Sequence, residues 1–194
     1  MRVLVVYCHP NSQSLVAAAR DRALSGLATA GHDVRLTDLY ADGFTPEMSA
    51  DERRTHKIPG VATELQSYAD DLAWAEALVL VYPTWWSGQP AMLKGWIDRV
   101  WVAGVAWELP EGTNVLRPSL TRVRRIVVVT THGSSKLVNS LQGEAGKRIV
   151  TRSIRAMCSR YTSTTWCALY GLDRADEPKR TAFLDRVERT LARL

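Results

Sequence analysis

Apolar and polar positions follow two alternating periods along this chain. Nearly continuous apolar runs of strand length stand at Arg2–Tyr7, Ala77–Tyr82 and Arg125–Thr131, with a more mixed run at Thr162–Tyr170. Runs with so few polar positions predict strands covered on both faces, the pattern of a parallel sheet. Asp33–Leu39 alternates loosely through Val34, Leu36 and Leu39 and predicts a strand nearer an edge. Helical spacing fills the intervals. Ser14–Ala30 carries Leu15, Ala18, Ala19, Ala23, Leu24 and Leu27 at that spacing, with Gly31 as a stop just beyond. Val61–Trp74 follows, then Pro90–Val102 with a proline in its first turn. A further helix is predicted from about Leu141 to Ser159, and a last one over Glu177–Leu194, with Phe183, Leu184, Val187 and Leu191 on one face. Tyr40–Gly60, holding at most one short helix, and Gly104–Thr121 read as long connections.

The order is βαβαβαβαβα, which predicts an open α/β sheet, parallel and doubly wound, between two helix layers. No linker or repeat divides it, so residues 1–194 are expected to form one domain. In such a sheet a ligand lies outside the carboxyl ends of the strands. The segments that matter are therefore those just after the strands, Cys8–Leu15, Pro83–Pro90 and Thr130–Ser135.

Composition narrows the class. Hydrophobic residues make up 46% and charged residues 23%, which excludes disorder and fibre. The longest apolar run, Ala77–Tyr82, falls far short of the ~20 residues of a membrane span. Met1-Arg2 leads straight into a strand-like run, so no signal peptide is expected. Cys8, Cys158 and Cys167 are odd in number and widely spaced, which argues against a disulfide framework or zinc site and for a cytoplasmic location. The net charge of +5 favours anionic small molecules by steering. Its densest clusters, Arg122–Arg125 and Lys147-Arg148, are too sparse for a nucleic-acid footprint.

Each loop has a plain structural reading and a chemical one. Cys8-His9-Pro10-Asn11-Ser12-Gln13-Ser14 is neither a dinucleotide fingerprint nor a P-loop. Ser12 or Ser14 can simply cap the helix, but free amides at a helix start, with hydroxyls and the His9 ring beside them, also suit a phosphate. In Pro83-Thr84-Trp85-Trp86-Ser87-Gly88-Gln89-Pro90 the paired indoles either cover the next helix, which carries Trp96 and Trp101, or wall a planar aromatic ligand. Thr130-Thr131-His132-Gly133-Ser134-Ser135 is either an ordinary turn or a nest of amide donors for a developing negative charge. Placed together on one sheet edge, the three loops match one ligand with a phosphate and a flat ring.

The segments VLVVYCHPNSQS at 3–14, LVLVYPTWWSGQPAMLKGWIDRVW at 78–101, VVVTTHGS at 127–134 and LQG at 141–143 resemble the flavodoxin-like NAD(P)H:quinone oxidoreductase family. That family includes the modulator-of-drug-activity type proteins and the ancillary oxidoreductases of potassium efflux systems. The resemblance covers nearly the whole chain and implies a flavodoxin-like sheet of strand order 2-1-3-4-5. It implies a tightly bound FMN or FAD, with the phosphate end at His9, Ser14, Leu15 and Val16. The flavin ring would lie against Pro83, Thr84, Trp85 and Trp86 on one side and Thr130, Thr131, His132 and Gly133 on the other. It further implies a homodimer with the flavin near the interface, and ping-pong hydride transfer from NAD(P)H to a quinone or similar acceptor. A flavin-binding electron carrier, or an ancillary subunit of a transport system, is the alternative. No metal, nucleic acid or transmembrane segment is expected. The chain departs from the family where a Tyr and a His assist proton transfer, holding Val138 or Asn139, and Ala145; Asp70 stands where a flavin-contacting Gln is expected. His132 is the residue expected to supply the proton in their place.

Overall fold

Five parallel strands form the central sheet of the computed structural model, which describes residues 1–194. In chain order the elements are β1 (Arg2–Tyr7), α1 (Leu15–Thr29), β2 (Asp33–Asp38), α2 (Ala50–Thr55), α3 (Gln66–Trp74), β3 (Ala77–Pro83) and α4 (Ala91–Val100). A small antiparallel ribbon, β4 (Trp107–Glu108) with β5 (Arg117–Pro118), follows. The chain ends with β6 (Arg125–His132), α5 (Lys136–Leu141), α6 (Ala145–Arg148), β7 (Ser163–Tyr170) and α7 (Glu177–Leu191). The sheet order is β2-β1-β3-β6-β7, the expected 2-1-3-4-5, and the loosely patterned β2 is at an edge.

Alternate side chains of the sheet feed two cores. Val3, Val5, Tyr7, Val79 and Val127 pack on α1 and α7 through Val16, Ala23, Leu27, Phe183 and Val187. Leu4, Val6, Leu78, Leu80 and Val128 pack on the opposite layer through Leu72, Leu93, Trp96, Val100 and Ile154. β3 lies at the centre of the sheet and is buried along its whole length, which is why its sequence shows no alternation. Gly31 ends α1 with φ of +69°, as a helix stop requires.

Several boundaries differ from the sequence expectation, among them the start of α3, which begins at Gln66 after a 3-10 turn over Thr63–Leu65 and not at Val61. Pro90 sits one position outside α4, in extended conformation, and not in its first turn. The helix expected over Leu141–Ser159 is two pieces beginning earlier. Ser135 caps α5, and the chain breaks at Gly143 (φ +82°) and Glu144 (φ +47°), both left-handed. It resumes as α6, which runs on into a π-helical turn over Ile149–Ile154. Apolar periodicity missed α5 because Leu137, Val138 and Leu141 face outward and only Asn139 is buried.

The segment between β2 and α3 is a strap bound across α4. Gly95 makes room for it: a Cβ there would sit 2.4 Å from the Pro46 carbonyl oxygen. Arg99, buried on α4, donates to Glu52 Oε1 at 2.7 Å and to the Thr45 carbonyl. Glu52 also closes the capping box of α2 by accepting from the Ser49 amide at 2.7 Å. Burial pushes the Glu52 carboxyl up, but the Arg99 and Ser49 hydrogen bonds outweigh it and hold the group below the usual carboxylate range.

Arg99→Met should lower stability by about 3 kcal/mol, the scale for removing one partner of a buried pair, read as a fall in the urea midpoint. The stabilisation drawn from the depressed Glu52 pKa is present above the unfolded-state value and is lost as pH falls through the folded one. The difference between wild type and Arg99→Met should therefore shrink in acid; a difference that stays constant down to acid unfolding would refute the assignment.

Candidate functional site

The amino end of α1 opens the site. The Ser14 side chain accepts from the Ala17 amide at 3.1 Å, so it is a true cap. Its hydroxyl hydrogen is left to point elsewhere. The amides of Leu15 and Val16 bond no acceptor in the protein, as the first turn of a helix dictates. The Val16 side chain is in the core and Leu15 packs against it, so these two residues face a ligand only through their backbone. His9 is pinned by its Nδ1, 3.0 Å from the Asn11 amide and 3.1 Å from the Asn11 carbonyl, while Nε2 makes no protein hydrogen bond. Burial lowers the His9 pKa. The donor set is two amides, a hydroxyl and the positive helix end, all groups that favour an anion.

β3 runs into the second loop. Pro83 is buried beside Thr131, and the Thr84 amide donates to the Thr131 carbonyl at 2.8 Å. The chain then reverses at Trp85–Gly88, whose end residues exchange two backbone bonds of 3.2 and 3.0 Å. Both central residues, Trp86 (φ 49°) and Ser87 (φ 60°), are left-handed, as in a type I′ turn. Neither is glycine, and each carries a cost of about 1 kcal/mol. Trp86 is fully exposed and Trp85 is 43% exposed, whereas Trp96 and Trp101 are core residues. The tryptophans thus divide between the two readings of the sequence.

The turn has supports that the sequence reading missed. The Gly146 amide donates to the Ser87 carbonyl at 2.8 Å, Ser87 Oγ donates to Gln142 at 2.7 Å, and Gln89 Nε2 donates to the Gly146 carbonyl at 2.9 Å. The stretch from Gln142 of the LQG segment to Gly146 is therefore a buttress for the Trp turn. Its spacing from the turn, more than fifty residues, hid this role.

The third loop joins the second at the floor of a pocket of about 300 Å³. Thr84 Oγ1 lies 2.9 Å from Thr130 Oγ1 and 3.4 Å from His132 Nε2. His132 stacks on Tyr170, ring centroids 4.5 Å apart, and its Nδ1 is 2.8 Å from Asn139 Oδ1. Burial lowers the His132 pKa against the weaker opposing effects of Asn139 and Glu144. Thr131 is buried and serves through its carbonyl; the Gly133 and Ser134 amides bond no protein acceptor. At the departures from the family pattern, Asn139 is the residue turned inward, while Val138 and Ala145 are exposed. Asp70 is exposed on α3 and accepts from Gln66 at 2.8 Å, away from this pocket.

The loops touch one another in sequence. His9 and Trp85 lie with ring centroids 6.3 Å apart, and Thr84 meets His132. The larger cavity of the molecule, about 820 Å³ beneath the strap, includes Asp42, Glu47, Asp51, Glu52 and Glu64 in its lining. Those carboxylates oppose an anionic ligand. No cluster of His, Cys, Asp and Glu is placed to hold a metal ion.

An open five-stranded parallel sheet covered by helices on both faces defines the doubly wound α/β class. The chain belongs to the flavodoxin-like fold family, whose model matches residues 1–194. It is 29% identical over 155 residues to a ribosyldihydronicotinamide dehydrogenase-like protein of Penicillium crustosum, covering 69% of this chain and 58% of that one. It is 34% identical over 116 residues to an uncharacterised NAD(P)H oxidoreductase of Haemophilus influenzae, covering 59% and 57%. These matches thus span a little over half the length of the relatives. Among solved structures, that of Smu.1420 from Streptococcus mutans superposes with a TM-score of 0.87 at 28% identity, covering 100% of both chains.

Because the Trp turn is strained, Trp86→Gly should leave the unfolding free energy within about 1 kcal/mol of wild type: relief of the left-handed residue offsets the extra freedom of the unfolded chain. A loss of several kcal/mol in urea titration would show that the exposed indole is a structural residue.

Proposed function

We propose that this protein is a flavin-dependent NAD(P)H oxidoreductase that passes a hydride, in ping-pong order, to a quinone or similar acceptor. The observation that carries the reading is the continuous rim from His9 through Trp85 and Thr84 to His132. It joins an anion-binding helix start to an exposed aromatic wall and then to a loop with free amides. The relatives named as NAD(P)H oxidoreductase and ribosyldihydronicotinamide dehydrogenase support it.

The residues present fit FMN or FAD. Ser14 and the Leu15 and Val16 amides would hold the phosphate, with His9 beside them. Trp85 and Trp86 would wall the ring, with Pro83 and Thr84 fixing the start of their turn. Gly133, Thr130, Thr131 and His132 would line the opposite edge. When bound, the flavin supplies the hydride chemistry; the chain supplies position and charge compensation. The Gly133 amide is suited to a negative charge developing at the ring edge, a charge-assisted contact of about 1–3 kcal/mol. Trp86 at the pocket and Leu137 and Leu141 on α5 are exposed, and a second copy of the chain is proposed to cover them in a homodimer. The three cysteines are free and buried, in keeping with a reducing, cytoplasmic setting.

Purified protein should take up FMN or FAD and show a flavin spectrum. It should oxidise NADH or NADPH with a quinone, giving parallel double-reciprocal plots. Trp85→Ala should weaken flavin binding about tenfold, or ~1.4 kcal/mol, by fluorescence titration. Protein that stays colourless after incubation with both nucleotides would overturn the proposal.

A further inference from the structure

Asn139 is the buried residue of α5, and its bonds have a fixed direction. Its Nδ2 lies 2.8 Å from the Ser135 carbonyl and 3.3 Å from the Ser134 carbonyl. Carbonyls only accept, so that end of the amide is the donor end, and Oδ1 is the group that faces His132 Nδ1. Nδ1 must then carry the hydrogen, and neutral His132 presents a lone pair at Nε2. The Thr84 hydroxyl donates to that lone pair and in turn accepts from Thr130. The chain of hydrogens runs one way: Thr130 to Thr84 to His132 to Asn139 to the backbone that opens α5.

We propose that Asn139 is a positioning residue that fixes the tautomer of His132, so that the imidazole meets the pocket as a hydrogen-bond acceptor. A proton arriving from solvent at Nε2 then reverses only the outer end of the chain: Nε2 donates to Thr84, whose hydroxyl turns to donate to Thr130 or into the pocket, while Nδ1 still donates to Asn139. His132 thus takes up a proton when an anion is placed there and adds donors beside it. This deepens the flavin reading and rests on it for the identity of the anion, but the tautomer does not.

The groups around His132 are few. Thr84 reaches it from β3, Thr130 lies beside it on β6, and Tyr170 and Trp166 stack or tilt against it from β7. Of the charged groups, Glu144 on the α5–α6 link is held by Lys147 at 3.1 Å, and Asp173 lines the pocket with an oxygen 2.9 Å from where a Cβ on Gly133 would stand. The Asn139 hydrogen bond and the Glu144 charge favour the imidazolium, while burial opposes it, and burial prevails in the free protein.

The test is the nitrogen NMR spectrum of the His132 ring in labelled protein without flavin, recorded against pH. Wild type should show hydrogen on Nδ1 in the neutral form. Asn139→Leu should lose that preference, and Asn139→Asp should keep it while raising the His132 pKa, because a carboxylate still accepts and favours the cation. Hydrogen on Nε2 in wild type, or an unchanged tautomer in Asn139→Leu, would overturn the proposal. If Asn139→Leu does not fold, Asn139→Asp decides it: an unmoved pKa overturns. In FMN-loaded protein, reduction by dithionite (two electrons to the flavin, dithionite oxidised to sulfite) should protonate His132 at neutral pH with a proton from water. A neutral ring after reduction would remove the anion response and leave the tautomer assignment intact. Failure to load FMN would instead count against the flavin reading, with the apoprotein spectra unaffected.

Discussion

A parallel strand can join the next one in its sheet only by crossing back over a face, and this constraint governs the rest of the structure. Five strands in the order β2-β1-β3-β6-β7 must be covered by helices on both sides, and every strand must end at the same rim. The apolar interior of β1, β3 and β6 stabilises the sheet by desolvation, and their buried polar side chains, Tyr7, Tyr82, Thr130, Thr131 and His132, stand only near the carboxyl ends. Chemistry is displaced to the rim, where β1, β3 and β6 deliver His9, Thr84 and His132 within contact of one another.

The rim is made rigid by bonds between segments distant in sequence. The Thr84 amide is tied to Thr131, and the Ser87 carbonyl to Gly146. These contacts hold Trp86 and Ser87 in left-handed conformations that an isolated peptide would leave, so local strain is sustained by tertiary support. The same arrangement exposes the Trp86 indole, an unfavourable state for a large apolar ring in water. Strain and exposure thus fall together on this one turn, sustained by its tertiary contacts.

Electrostatics separates the two concave regions. At the rim, unpartnered amides and a helix start present positive potential, and the nearby histidines are kept mainly neutral by burial. Beneath the strap, carboxylates gather around the single buried guanidinium of Arg99, where Glu52 neutralises it and fastens α2. The first region is suited to an anionic nucleotide and the second to holding the chain in place.

Much of this was legible in the residues themselves. Strand and helix periods, the edge position of β2 and the three rim loops all follow from burial patterns that depend on near neighbours in sequence. That the Leu15 and Val16 amides lack an acceptor in the protein could be read from a cap followed by a helix. Three things could not. The α5–α6 break was hidden because the apolar residues of α5 point outward, so periodicity carried no core signal. The LQG buttress and the strap on Gly95 join residues about fifty positions apart, and no local rule pairs them. The tautomer of His132 depends on which atom of Asn139 faces it, and that depends on two backbone carbonyls brought there by folding. Sequence alone determined the sheet, its rim and the residue types available there, because hydrophobic burial acts through simple periods. Only the tertiary structure decided how those residues are oriented and supported, because hydrogen bonds are directional and their partners come from remote parts of the chain.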